Sequence, residues 1–271
     1  MFSKFQIQGL NFNFFKEGIY SARQGHYKYC KVGVDLFRSY KKIFDNQLTR
    51  IKEESVTIYD GNKIQEKWFS EFRDFDVFIS HAHKDAYLAT CLAGWLYENL
   101  GLKSFIDIHL WNGCDKLLDA MNGDKPTYDK VKENASHVYM MLNTALMQMI
   151  DNCECIFFLN TPNSISIDDG THSPWIFSEI GMANMLEPNL PIRFQNDLVV
   201  NKDKETKNIL ECASKESYVK YELNLEKFEI INAINLKEWA RSGLMGDEAI
   251  DYLYEMYDVK KIIDFDNRGI I

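Results

Sequence analysis

Asp76-Val-Phe-Ile-Ser-His-Ala-His-Lys-Asp85 is the stretch of sequence that decides the fold, because an apolar run stops there abruptly at a polar turn. An apolar run that is bounded in this way is typical of a buried strand in a parallel sheet. Reactive groups collect in the crevice where parallel strands end. The turn from Ser80 to Asp85 is therefore predicted to lie at a functional edge of the sheet.

Strand and helix patterns alternate from residue 75 onwards. Strands are predicted at residues 75–80, 103–108 and 155–159, with less regular ones at 217–225 and 228–232. Helices are predicted at residues 87–100, 128–149, 174–186, 236–241 and 247–257. Apolar strands separated by helices indicate an α/β fold with a mainly parallel sheet covered on both faces. Its carboxyl edge would carry residues 80–85, 107–113 and 160–173.

The first part of the chain is predicted to be a helical N-terminal extension. Val32, Leu36, Tyr40 and Phe44 recur at about one helical turn within residues 27–52. The expected organisation is an extension over residues 1–72, an α/β domain with C-terminal helices over 73–258, and a tail over 259–271.

Composition narrows the class of partner and the compartment. The chain has 31 basic and 40 acidic residues and a net charge of −9, without a Lys/Arg-rich block, so nucleic acid is not expected as a partner. The six cysteines show no C-x-x-C pair and are interpreted as reduced thiols. No signal peptide is visible, and no apolar run approaches the ~20 residues of a membrane helix. A cytoplasmic protein without a membrane partner is expected.

The segment Ser173-Pro-Trp-Ile-Phe-Ser-Glu179 contains the second informative motif. Ser173 is a predicted N-cap and Pro174 a first helical residue, so Trp175 and Glu179, four residues apart, share one helix face. An aromatic ring beside a carboxylate suits a nucleotide sugar, because the carboxylate stabilises the oxocarbenium-like charge of glycosidic cleavage. Cleavage of the nicotinamide–ribose bond of NAD needs little acid assistance, since the pyridine departs as a neutral molecule.

The two motifs together resemble a Toll/interleukin-1 receptor (TIR) domain of the bacterial, NAD-cleaving kind. The resemblance covers the first strand with Ser80-His81, the next helix and strand, and Ser173-x-Trp-x-x-x-Glu179, or about residues 73–190. It implies a flavodoxin-like sheet and a catalytic role for Glu179. It also implies a nucleotide-binding surface that contains Ser80, His81, Asp85, Trp111, Ser173 and Trp175.

The resemblance carries further expectations about substrate and partners. NAD would be the substrate and no resident cofactor is required. Family members self-associate through TIR surfaces, and those of the Thoeris-like anti-phage kind convert NAD into an ADP-ribose-derived signal for a separate effector after a phage-derived trigger. A long loop predicted at residues 109–126 would leave room for a second acceptor. That room favours cyclisation or transfer, with a cyclic ADP-ribose as one product, over plain hydrolysis.

Alternatives remain open at this stage. A non-catalytic TIR adaptor that works only by assembly would share the fold. His81-x-His83-x-Asp85 also resembles the first half of a dinuclear zinc motif of the metallo-β-lactamase type, although Ala86 stands where its final ligand is needed. Glu179 alone could be a solvated helix carboxylate, Trp175 a packing residue and Ser173 only a cap.

Overall fold

The computed structural model describes residues 1–16, 26–38, 75–166, 170–197 and 219–259, and only the backbone of 108–113 and 195–197. The strands are β1 (Ser3–Gln8), β2 (Val77–Ser80), β3 (Ser104–Ile106), β4 (Cys155–Asn160), β5 (Gly170–Thr171), β6 (Tyr221–Glu222) and β7 (Glu229–Asn232). The helices are α1 (residues 26–38), α2 (Ala86–Leu100), α3 (Ile108–Asn122), α4 (Tyr128–Asn152), α5 (Pro174–Met185), α6 (Ala233–Arg241) and α7 (Asp247–Met256).

A five-stranded parallel sheet lies at the centre of the described chain, in the order β3-β2-β4-β1-β7. β5 and β6 form a separate antiparallel pair. The α/β fold class, with a parallel sheet flanked by helices, is therefore confirmed. With β2 counted as the first strand, the order β3-β2-β4 matches the first three strands of flavodoxin-like folds. The N-terminal strand β1 then occupies the next position, so the whole sheet departs from the flavodoxin order 2-1-3-4-5.

Alternating side chains of the strands divide the core into two layers. On one face, Val77 and Ile79 of β2 pack in a cluster that includes residues of α1, α2, α6 and α7. On the other face, Phe78 packs in a cluster that includes residues of α3, α4 and α5. Each fully buried aliphatic or aromatic side chain of this kind contributes roughly 1.5–3 kcal/mol. The helices are thus fixed on both faces, and α5 is held over the face on which Phe78 lies.

The first strand corrects the expectation of a helical extension over residues 1–72. Ser3–Gln8 pairs with β4 on one side and β7 on the other, so this segment belongs to the sheet. The prediction failed because SKFQIQ alternates polar and apolar residues, whereas a strand inside a parallel sheet usually reads as continuously apolar. The helical pattern is present in α1, but residues 39–72, including Tyr40 and Phe44, lie outside the described residues, as does the tail after Val259.

A second correction concerns the segment after β3. The strand ends at Ile106, and residues 108–122 form helix α3 instead of the long loop predicted at 109–126. The extra length after β3 is thus helical, and room for a second acceptor at the site stays a prediction. The other helices agree with the predicted ones to within a few residues.

Candidate functional site

The strand order defines a topological switch point at the carboxyl edge of the sheet. From β2 the chain passes through α2 to β3 on one side, and then through α3 and α4 to β4 on the other side of β2. Adjacent strands whose connections leave in opposite directions form a topological switch point, where ligands bind in α/β sheets. The ends of β2 and β4, at Ser80 and Asn160, define that point here.

Helix α5 places a carboxyl group in this region. The side chain of Ser173 caps the helix by accepting a hydrogen bond from the amide of Ile176 at 3.3 Å, and Pro174 follows at the first helical position. Ile176 and Ile180 anchor the inner face of the helix in the core. Glu179 lies on the same face and is only 1% exposed. The alternative interpretation of Glu179 as a solvated helix carboxylate is therefore wrong.

Ser80 and Glu179 meet, although 99 residues separate them. The hydroxyl of Ser80, the last residue of β2, donates a hydrogen bond of 2.6 Å to Oε2 of Glu179. Ser80 is completely buried. Oε1 of Glu179 is buried too, and none of the described residues forms a hydrogen bond with it. A buried polar atom without a partner is costly in a folded protein, and such atoms occur at sites that await a ligand or do chemistry.

The surroundings favour the neutral acid form of Glu179. Burial raises the pKa of this carboxyl group well above its ordinary value, and the negative charge of Asp107 raises it further. The hydrogen bond from Ser80 acts in the opposite direction because it stabilises the charged form. A carboxyl group with a strongly perturbed pKa at the carboxyl edge of a parallel sheet is a candidate functional group.

His81 and Asp107 form the second pair of the site. Both residues are buried. Nδ1 of His81 lies 3.5 Å from Oδ1 of Asp107 and 3.3 Å from the carbonyl oxygen of Ile79. Asp107 directly follows β3, so it lies at the carboxyl end of the strand next to β2. The imidazole is thus held beside the acid that influences Glu179.

Asp85 holds the loops of the site together. Its two carboxylate oxygens accept hydrogen bonds from Thr161 Oγ1 at 2.5 Å and from Asn163 Nδ2 at 2.7 Å. Ser164, in the same loop, donates to the carbonyl oxygen of Leu159 at 2.8 Å. The turn after β2 is therefore fastened to the loop after β4. Asp85 thus links two loops of the site, and its contact with a nucleotide, which the resemblance implies, stays a prediction.

Of the two tryptophans expected at the site, Trp175 has a described side chain and Trp111 does not. Trp175 is partly buried and packs edge-on against Tyr139 of α4, with ring centroids 6.1 Å apart, which agrees with the packing interpretation. Trp111 lies in α3 instead of a loop, and its side chain falls outside the described residues. Ser173 is the N-cap that the sequence predicted.

The zinc-hydrolase alternative receives no support from the geometry. His83 is exposed, while Asp85 is engaged by Thr161 and Asn163 and His81 faces Asp107. In the described ranges, no three His, Cys, Asp or Glu side chains come together in a way that would hold a metal ion.

Asp107 is the residue of the site that the sequence interpretation did not single out. Residues 107–113 were expected at the carboxyl edge, but as a loop bordering the nucleotide. The signal was the position of the acid directly after an apolar strand, as for the residues after β2.

The described site contains one buried carboxyl group with a free oxygen, a hydroxyl that orients it, and a His–Asp pair beside it. Such a group can stabilise a positive charge that develops nearby. Comparisons with protein-family models, with curated proteins and with solved structures give no match to this chain. None of the helices in the described part of the chain is long and apolar enough to cross a membrane.

Proposed function

We propose that this protein is a TIR-type enzyme that cleaves the nicotinamide–ribose bond of NAD, with Glu179 as its catalytic residue. The single observation that supports this most strongly is the buried Glu179 carboxyl at the switch point of the sheet, oriented by Ser80 and with one oxygen free. The sequence resemblance assigns the catalytic role to the same residue.

Cleavage of the nicotinamide–ribose bond needs few catalytic groups from the protein. The bond between C1′ of the ribose and the pyridine nitrogen breaks, and its electron pair stays on the nitrogen, which neutralises the ring. The ribosyl unit becomes cationic, and the Glu179 carboxylate stabilises that charge. Water or another acceptor then attacks C1′ and loses a proton. Water gives ADP-ribose, whereas an acceptor within the same molecule gives a cyclic product.

Residues around Glu179 have supporting roles in this proposal. Ser80 keeps one carboxylate oxygen in place, so the other is directed at the sugar. His81 and Asp107 border the nucleotide, and Asp85 holds the surrounding loops through Thr161 and Asn163. The protein supplies its own catalytic groups, so no cofactor is needed beyond NAD as substrate.

The biological role that we propose is the one implied by the sequence resemblance to bacterial TIR domains. The product is an ADP-ribose-derived signal in cytoplasmic anti-phage defence, made after a phage-derived trigger by a self-associated form and sensed by a separate effector. A non-catalytic TIR adaptor is the competing role, and it has no use for a buried, unpartnered carboxyl group.

Product analysis in cells tests this proposal. Cells that make the wild-type protein or Glu179→Gln are challenged with phage, and their small molecules are compared by mass spectrometry. The proposal expects loss of NAD and a new ADP-ribose-derived product with the wild-type protein alone. An unchanged NAD pool with both proteins, together with protection from phage by both, would favour the adaptor.

A further inference from the structure

We propose that Lys4 of β1 and Lys227, in the turn before β7, form a binding site for a phosphate group. The site lies on the face of the sheet that α5 covers, and Asn184 of that helix contacts Lys4. It is outside the site described around Ser80 and Glu179. The inference goes beyond the proposed function, because it requires neither NAD nor the cleavage of any bond.

Lys4 is a buried cation in the interior of the sheet. The residue is only 9% exposed, and its ammonium group makes one polar contact, a long hydrogen bond of 3.4 Å to Oδ1 of Asn184. None of the described Asp and Glu residues forms an ion pair with it. A lysine ammonium group has three donors, and a buried charge without an opposite charge is costly. An anion bound beside Lys4 would supply both acceptors and the missing charge.

Lys227 adds a second positive charge to the site. Burial, and then the positive charge of Lys227, lowers the pKa of Lys4 to about 8, so the two ammonium groups repel each other. Lys227 is exposed, and in the part of the chain that the structure describes it has no ion pair either. Its sequence neighbour Glu226 is exposed and pairs with neither lysine. Two unbalanced cations in a chain of net charge −9 indicate a place for an anion.

Gln6 contributes an unpartnered donor on the same face of β1. The residue is 7% exposed, and its amide oxygen accepts hydrogen bonds from Gln8 Nε2 and Asn160 Nδ2. These two bonds fix the amide, whose nitrogen Nε2 donates to none of the residues that the structure describes. Residues two apart in a strand share one face and lie about 7 Å from each other. The donors of Lys4 and Gln6 are therefore within reach of a single phosphate group.

The rim of the site is polar and reaches the surface. Asn184 is partly buried, and its Nδ2 donates a hydrogen bond of 2.7 Å to the carbonyl oxygen of Asn224, which is exposed between β6 and β7. Lys4 thus lies at the base of the site and the exposed Lys227 at its rim. A phosphate group carries a charge of about −1.5 to −2 at pH 7, which matches two ammonium groups, whereas a carboxylate carries only one charge. The charge balance therefore favours phosphate as the ligand.

Isothermal titration calorimetry with three anions tests the site. The purified protein is titrated with inorganic phosphate, ribose 5-phosphate or acetate in a phosphate-free buffer. Sodium chloride keeps the ionic strength constant, because salt screens charge interactions. Binding of ribose 5-phosphate would show that the site accepts a phosphate group attached to a larger molecule. Binding of inorganic phosphate without ribose 5-phosphate would show that the site is reserved for the free ion.

The wild-type protein is expected to bind one phosphate group, at least about tenfold more tightly than acetate, because the phosphate carries more charge. Lys4→Met keeps the length of the side chain but removes its charge, and should abolish this binding. Lys227→Gln should weaken it by about two- to fivefold, since an exposed charge contributes less than a buried one. Lys125→Met, at an exposed lysine between α3 and α4, is the matched control and should bind like the wild type.

Three results would overturn the inference: no saturable binding of either phosphate compound by the wild type, equal affinity for phosphate and acetate, or wild-type affinity in Lys4→Met. Circular dichroism verifies that each variant is folded. If Lys4→Met does not fold, Lys227→Gln decides, because its change lies on the surface, and an affinity equal to that of Lys125→Met then refutes the site. None of these results depends on whether the protein releases nicotinamide from NAD.

Discussion

At the residue scale, the sequence predicted that Ser80, His81 and Glu179 belong to one region, and the structure places them there. Strand ends and helix caps are marked by local sequence patterns, so the positions of these three residues could be predicted from the sequence. Asp107 was not singled out, because its importance depends on β3 ending at Ile106 and on its electrostatic effect on Glu179, 72 residues later. The hydrogen-bond partners of Asp85 could not be predicted from the sequence either, because they lie in the loop after β4.

The pH dependence of stability tests the buried state of Glu179. Its folded-state pKa is raised above the ordinary value of 4.5, so the folded protein keeps the proton where the unfolded chain has lost it. This contribution is complete below the unfolded pKa and is lost as pH rises through the folded pKa. Glu179→Gln, which cannot ionise, should therefore gain melting temperature relative to wild type as pH increases above about 5.

Thermal unfolding at a series of pH values measures this difference. Glu226→Gln, which changes an exposed carboxylate between β6 and β7, is the matched control and should follow the wild type. A Glu179→Gln curve parallel to wild type at every pH would mean that Glu179 is not a buried acid.

At the scale of elements, the described part of the helix predicted at residues 27–52 is helical and forms α1, but its buried face was not predicted. The sequence pattern pointed to Val32 and Leu36, whereas the structure buries Cys30, Gly33 and Phe37. The reason is close packing between α1 and α2. A Cβ added at Gly33 would overlap the carbonyl oxygen of Thr90. Hydrophobic periodicity cannot reveal a contact that depends on the absence of a side chain.

Substitution at the partner glycine of α2 tests this close approach. A Cβ at Gly94 would overlap the carbonyl oxygen of Tyr29 in α1, which is backbone and cannot rotate away. Gly94→Ala should therefore lower the free energy of unfolding by about 1–3 kcal/mol or more, measured by urea denaturation. Gly181→Ala in α5 is the control, because a Cβ there meets nothing within 4 Å. It should be stabilising by up to about 1 kcal/mol, and equal effects of the two changes would refute the close packing.

At the scale of the whole molecule, the parallel α/β architecture was predictable from alternating strands and helices, while the position of β1 was not. Lys4, Gln6 and Gln8 make its sequence look amphipathic. The side-chain amides of the two glutamines find partners inside the fold, since Gln6 Oε1 accepts hydrogen bonds from Gln8 Nε2 and Asn160 Nδ2, each at 3.1 Å. Such pairing becomes visible only when β1 lies beside β4.

A pair of phenylalanine substitutions tests whether the first strand is part of the core. Phe5 in β1 is fully buried and contacts the rings of Phe157 and Tyr257. Phe5→Ala should reduce the free energy of unfolding by roughly 3–5 kcal/mol, through lost burial and the cavity left behind. Phe12→Ala, at a 39% exposed residue, should cost far less. Comparable losses for the two variants in urea denaturation would show that β1 is peripheral.

Nicotinamide release by the purified protein is the most direct measurement of the central claim. The wild type, Glu179→Gln and the control Glu226→Gln are incubated with NAD, after circular dichroism has verified that all three are folded. We expect release by the wild type and the control, and a rate at least about 10²–10³-fold lower for Glu179→Gln, because the charge that stabilises the ribosyl cation is gone. Release by Glu179→Gln at the wild-type rate, or by none of the three proteins even after an extract of phage-infected cells has been added to supply the trigger, would contradict the account.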